Sequence, residues 1–254
     1  MNRHYIQEIF LKEPLPPDSY LNTLPAVKVL LEGNRLAFSK DVTFLVGENG
    51  TGKSTLLEAI AVAYGFNAEG GTRNFNFSTR ATHSELYKYL TISRANYPQD
   101  SFFLRAESFY NVATNIDELD EVPSFGPDLI QSYGGVSLHK QSHGESFLTL
   151  VQNRFGGKGL YLLDEPEAAL SPTRLLTLMA QIHQLVQDDS QFIIATHSPI
   201  LMAFPDACLY QLSETGITQV DYRETEHYCL TKRFLNDPER MLRYLFSEQD
   251  DMNE

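Results

Sequence analysis

Residues Gly47-Glu48-Asn49-Gly50-Thr51-Gly52-Lys53-Ser54-Thr55 bring glycines, a lysine and hydroxyl side chains together in one short run. They fit the phosphate-loop pattern G-x-x-x-x-G-K-[ST], in which side-chain-poor residues let backbone N–H groups close on a polyphosphate. In that arrangement Lys53 reaches the β- and γ-phosphates and the Ser54 hydroxyl ligates Mg²⁺. A second candidate site is Gly159-Leu160-Tyr161-Leu162-Leu163-Asp164-Glu165-Pro166, an apolar run that ends in two acids. A buried strand ending this way delivers its carboxylates to the crevice where open α/β sheets bind ligands. Asp164 is then the Mg²⁺ acid, and Glu165 is placed to polarise an attacking water. A third run, Gln191-Phe192-Ile193-Ile194-Ala195, leads to Thr196-His197. His197 is a candidate to hydrogen-bond a γ-phosphate or to orient water.

These groups need a scaffold that brings strand ends together. Asp41–Val46 reads as a strand buried on both faces, and Ser54 to about Tyr64 reads as an apolar-striped helix stopped near Gly65. The helix N-terminus aims its dipole at the bound phosphates. Gln141-Ser142-His143-Gly144-Glu145-Ser146 precedes another helix, with Ser142 near its N-cap, and Ser171-Pro172 opens a third in the same way. The expected architecture is α/β, a mainly parallel core sheet flanked by helices, with a β-containing N-terminal part.

Composition narrows the setting. The 254 residues are 42% hydrophobic and 21% charged, as in an ordinary globular protein. No apolar stretch is long enough for a membrane span, and the opening residues carry no secretory pattern, so a cytoplasmic protein is expected. Cys208 and Cys229 lack metal-ligand spacing and read as reduced thiols. The net charge of −13 disfavours coating of nucleic acid. Arg73, Arg80, Lys88, Arg94 and Arg105 leave open a local basic face, with a solvated surface as the alternative.

Together these motifs resemble the ATP-binding-cassette (ABC) ATPases over about residues 27–212. Residues 47–54 correspond to Walker A, 160–165 to Walker B with its adjoining glutamate, and His197 to the switch histidine. In the signature motif, usually L-S-G-G-Q, Ser142 matches the serine, Gly144 the second glycine and Glu145 the final polar residue, while Gln141 and His143 depart from it. The resemblance implies ATP as substrate, Mg²⁺ as cofactor, and a head-to-tail homodimer in which Ser142, Gly144 and Glu145 complete the partner's site. The phrasing Leu36–Gly50 and Glu165-Pro166-Glu167 with Leu170-Ser171-Pro172 is similar to the chromosome-maintenance and recombination-repair branch, and to small bacterial ATPases grouped with abortive infection. The strand Ser101–Ala106 ends without the glutamine that couples transporter cassettes to membrane domains. Glu107 stands there as either a Mg²⁺ contact or a first-turn helix carboxylate.

One domain over 1–254 is expected. Residues 27–65 and 157–212 form the nucleotide-binding core, 66–156 an insertion with the helical signature region, and 213–254 a hairpin-helix extension. Within the insertion, alternating aromatics at 70–77 suggest a short strand or an extended arm, Leu86–Arg94 an edge element, Ser108–Leu119 a helix and 122–127 a loop. An unidentified protein partner would bind there. Phe38 is a candidate adenine-stacking residue. A transporter subunit and a non-hydrolysing ATP switch are the rival functions, and the ATP-driven process, whether DNA repair, phage defence or toxin regulation, stays open.

Overall fold

The structure is a computed structural model that describes residues 4–73, 84–120 and 129–247. The described strands are β1 (Ile6–Leu11), β2 (Leu36–Ala37), β3 (Val42–Gly47), β4 (Leu90–Arg94), β5 (Asp100–Arg105), β6 (Gly159–Asp164), β7 (Gln191–Ala195), β8 (Cys208–Ser213) and β9 (Gly216–Val220). The helices are α1 (Pro25–Leu31), α2 (Lys53–Tyr64), α3 (Phe109–Asp120), α4 (His143–Arg154), α5 (Pro172–Gln187), α6 (Pro199–Met202), α7 (Glu226–Asn236) and α8 (Pro238–Ser247).

The six-stranded core sheet has the order β5-β6-β7-β3-β8-β9 and is parallel except where β8 meets β9. Its strands are apolar on both sides because the sheet separates two cores. Successive residues of a strand point to opposite faces. Thus Val42, Phe44 and Val46 of β3 join Phe102, Tyr161, Phe192 and the apolar faces of α3, α4 and α5 in one core. Leu45 joins Leu162, Ile193, the α2 residues Leu56 and Ile60, and Ile6 and Ile9 of β1 in the other. Each such side chain contributes roughly 1.5–3 kcal/mol on burial. Phe38 is 1% exposed in this second core, which overturns its expected role against a nucleobase.

A separate antiparallel sheet, β2-β1-β4, covers α2. Gln191, the first residue of β7, is buried yet satisfied. Its Oε1 accepts from the Tyr5 and Ile6 N–H groups, each at 2.9 Å, and its Nε2 donates to the Ile6 carbonyl at 2.8 Å. One amide side chain therefore joins the two sheets.

The stretch 66–156 is more than an insertion. It supplies β4 to the small sheet and β5, in register from Asp100↔Gly159 to Arg105↔Asp164, to the edge of the core sheet. The reason is burial, since Phe102, Phe103 and Leu104 are all fully enclosed. Of the expected arm at 70–77, Gly71 bridges Phe103, and 74–77 lie outside the described residues, as does the 122–127 loop. The basic residues of this stretch are partly absorbed by packing. Arg73 and Arg94 lie over the Tyr64 ring at 5.7 and 4.2 Å.

After β9 the chain forms α7 and α8, separated by Asp237. Positions 229–236 are exposed, as are Leu245 and Phe246 of α8. Among the described residues no helix is long and apolar enough to cross a membrane.

Candidate nucleotide site

The C-terminal ends of β3, β6 and β7 lie side by side, so Gly47, Asp164 and Ala195 lead their following loops into one crevice. This is the position where open α/β sheets bind ligands. Gly47 has φ +143°, and a Cβ there would stand 2.3 Å from the Leu212 carbonyl oxygen of β8. Only glycine lets the loop leave the strand against its neighbour. The loop then turns through Gly52 into α2, whose first helical residue is Lys53.

Lys53 is buried, and its Nζ donates to the Gly47 and Glu48 carbonyls at 2.8 and 2.9 Å. Burial pushes its pKa down, opposed by the charges of Glu165 and Asp164. Ser54 Oγ donates to Asp164 Oδ1 at 2.8 Å, so two residues far apart in the chain meet where the motifs require. Arg105 Nε stands 3.3 Å from Asp164 Oδ2 in an ion pair without hydrogen-bond alignment. The same guanidinium donates to Glu58 Oε2 at 2.7 Å.

Glu165 begins a left-handed turn at φ 50°, ψ 50°, a conformation that costs a non-glycine residue about 1–3 kcal/mol. The turn is held by its N–H donating to the Ala195 carbonyl at 2.9 Å and by Pro166 behind it. Its effect is to separate the Glu165 carboxylate from the Ser54–Asp164 pair and set it 3.6 Å from His197 Nε2. Glu167, half-buried and with its pKa raised by desolvation, accepts the His197 backbone N–H. It ties the end of β6 to the end of β7.

A cavity of about 280 Å³ joins Ser54, Asp164 and Glu165 with Glu107 and His143. Glu107 is 87% exposed and lies 3.6 Å from Arg105 Nη2. A larger cavity of about 590 Å³ opens on the other flank of the loop, beside Glu48, Asn49, Gly50 and Thr51.

The donor set suits Mg²⁺. That ion keeps waters and phosphate oxygens and takes only one or two hard protein oxygens, which Ser54 and Asp164 would provide. Among the described residues no cluster of three histidines, cysteines or carboxylates competes with this site. Burial pushes Asp164 up to about 6, with Arg105 and the Ser54 hydroxyl opposing the rise and Glu165 and Glu58 adding to it. A buried carboxylate so poorly compensated is one that a divalent cation would relieve.

This gives a sign for metal-free stability. A carboxyl raised on folding is protonated in the native state before the unfolded one as pH falls, so the folded state binds the extra proton. The Asp164 contribution therefore penalises folding fully above about pH 6 and fades as pH drops towards 4. In the metal-free and nucleotide-free protein at pH 7, Asp164→Asn should raise the urea midpoint by the equivalent of about 1–3 kcal/mol. The gain should vanish near pH 4; a variant less stable than wild type at pH 7 would overturn this account of Asp164.

The signature residues Ser142, Gly144 and Glu145 sit apart from the Lys53 and Ser54 contacts. Ser142 caps α4, and its hydroxyl and N–H both donate to Glu145 Oε2, at 2.6 and 3.1 Å. Arg174 of α5 reaches Glu145 Oε1 at 3.1 Å. A Cβ on Gly144 would lie 2.8 Å from the Ala169 carbonyl, so glycine permits α4 to approach the turn after Glu165. At its other end α4 is anchored by Arg154 donating to Asp100 Oδ1 at 2.7 Å.

Several site residues escaped the sequence reading. Glu58 left a weak trace, as a charge interrupting the apolar stripe of α2. Arg105 was noted only as part of a basic stretch. His227 left none, because its place beside His197 depends on how the tail folds back.

Comparisons with known proteins agree with this geometry. Residues 28–117 match a family model described as "AAA domain", and residues 137–203 match one described as "AAA domain, putative AbiEii toxin, Type IV TA system". The first span contains residues 47–55 and the second contains Ser142, Asp164, Glu165 and His197. Structural maintenance of chromosomes protein 6 of Takifugu rubripes is 33% identical over 66 residues, a match covering 26% of this chain and 6% of that protein. The fold is similar to cbiO1 of Clostridium perfringens, part of the ABC transporter complex cbiONQ, at TM-score 0.54 and 15% identity over 96% of this chain and 100% of that one. It is also similar to an ATP-binding cassette of an ABC transporter, at TM-score 0.50 and 15% identity over 95% and 99% of the two chains. With the core sheet and both AAA-domain matches in agreement, the chain has the ABC-ATPase-type P-loop fold.

Proposed function

We propose that this protein binds ATP with Mg²⁺ and hydrolyses it as a head-to-tail dimer with two composite sites. The observation that carries this reading is the convergence of Lys53, Ser54, Asp164, Glu165 and His197 on one crevice. In it the phosphate loop and Lys53 hold the polyphosphate, and Ser54 and Asp164 hold the Mg²⁺. The bound cation supplies charge neutralisation at the phosphate oxygens. Glu165 orients the attacking water and accepts its proton. His197 Nε2 is buried without a hydrogen-bond partner, and its role is to bond the γ-phosphate. Glu107 is an additional contact to Mg²⁺ or its waters.

Ser142 and Glu145 bond to each other and to Arg174, with no hydrogen bond to the phosphate loop of their own chain among the described residues, which supports use of Ser142, Gly144 and Glu145 by a second subunit. Serving the partner's γ-phosphate requires the Ser142 hydroxyl to turn away from Glu145. Ser142→Arg should therefore leave ATP binding to the monomer intact, abolish ATP-dependent dimerisation in light scattering, and cut hydrolysis by at least about 10-fold. Dimerisation and turnover at wild-type levels would sink the composite site. A transporter subunit is disfavoured by the absence of a coupling glutamine after β5. The similarity to a chromosome-maintenance protein and to a toxin–antitoxin family model supports coupling to DNA repair, phage defence or toxin regulation. Single-turnover hydrolysis separates the ATPase from a switch that retains its nucleotide unchanged.

A further inference from the structure

His227 lies on the first turn of α7, and its Nε2 stands 3.1 Å from His197 Nδ1. The ring centroids are 5.3 Å apart with the planes tilted by 57°, so the rings meet through their nitrogens rather than by stacking. On its other side, His197 Nε2 faces the Glu165 carboxylate at 3.6 Å with no hydrogen-bond partner. A neutral imidazole carries one proton, so what Nδ1 does decides what Nε2 can offer. If His227 Nε2 donates, His197 Nδ1 accepts, and His197 Nε2 carries the hydrogen that points into the site. The opposite pairing would aim a lone pair at Glu165 and at the incoming phosphate oxygens, two acceptors against a third.

We propose that His227 is a positioning residue for ATP hydrolysis, holding His197 in the tautomer and orientation in which its Nε2 is a donor. This rests on the ATPase reading above and extends it to the C-terminal tail. Burial holds both imidazoles below their usual pKa, as a shared neutral pair needs. The location of His227 is built rather than incidental. Thr225, fully buried, caps α7; its hydroxyl donates to the Tyr222 carbonyl at 2.8 Å and accepts from the Tyr228 N–H at 3.4 Å. Tyr222 and Tyr228 pack with ring centroids 4.6 Å apart. The first turn of α7 is thus anchored beside the switch histidine, while the rest of the helix projects into solvent.

The test uses full-length His227→Ala and His227→Gln in single-turnover hydrolysis with ATP affinity measured separately. The alanine variant should hydrolyse about 10–100-fold more slowly, the usual cost of losing a residue that orients an active imidazole. Its ATP affinity should stay within about threefold of wild type, separating the chemical step from binding. The glutamine amide can donate from near the same place and should restore the rate to within about threefold of wild type. Wild-type turnover by the alanine variant, equal losses in both variants, or a loss of affinity matching the loss of rate would each overturn the proposal. If wild-type protein fails to hydrolyse ATP, the ATPase reading falls on its own account. The ¹⁵N shifts of the His197 ring then still decide the positioning role. A protonated Nε2 in wild type and a mixed tautomer in His227→Ala are expected, and identical spectra refute it.

Discussion

Replacing Glu165 by glutamine should lower single-turnover ATP hydrolysis by about 10²–10⁴-fold, the usual contribution of a positioned general base. Glutamine keeps the size of the side chain and the left-handed turn it starts, but it cannot take a proton from water. Asp164, Ser54 and Lys53 stay in place, so ATP affinity should remain within a few-fold of wild type. The ATP-bound dimer, unable to reset, should accumulate and elute at twice the monomer mass in the presence of ATP and Mg²⁺. Hydrolysis at the wild-type rate would remove Glu165 from the chemistry, and a monomeric variant under saturating ATP would remove the dimer from the cycle.

Lys53→Ala is expected to have the second large effect, on binding rather than turnover. In the structure the ammonium group donates to two loop carbonyls, a pairing that holds the loop around the place where phosphates would sit. Bound polyphosphate exchanges those neutral acceptors for charged ones, and each charge-assisted hydrogen bond is worth about 1.5–3 kcal/mol. Losing two such bonds should weaken ATP by at least about 100-fold in calorimetry. The thermal midpoint should move little, because the variant loses two hydrogen bonds but also relieves a buried ammonium whose pKa is already depressed. ATP affinity within about threefold of wild type would overturn the assignment of the loop.

Much of the fold was legible because the motifs are short and their chemistry is local. A phosphate loop works through consecutive backbone N–H groups, so its residues must be contiguous, and the strand before it and the helix after it leave periodic traces. The caps at Ser142 and Ser171 were readable for the same reason, and each is found at its helix start. Stretch 66–156 was harder. The run Ser101–Ala106 reads as a strand, but nothing in it says that it lies at the sheet edge beside β6, because an apolar strand buried on both faces has no alternation to show its neighbour. Phe38 failed for a related reason. An aromatic near a phosphate loop is equally compatible with a nucleobase and with a core, and here the core has it completely.

The amino-acid sequence by itself determined the P-loop fold and singled out Lys53, Ser54, Asp164, Glu165 and His197 as the candidate chemical groups. Those properties reside in local runs of residues, and each run announces its own strand or helix. Only the tertiary structure decided how the groups are tuned. The Glu58–Arg105–Asp164 cluster, the strained turn that parts Glu165 from Asp164, and the pairing of His197 with His227 join segments far apart in the chain. Their energies depend on burial and on distances of a few ångströms, quantities set by packing and carried by no single stretch of sequence.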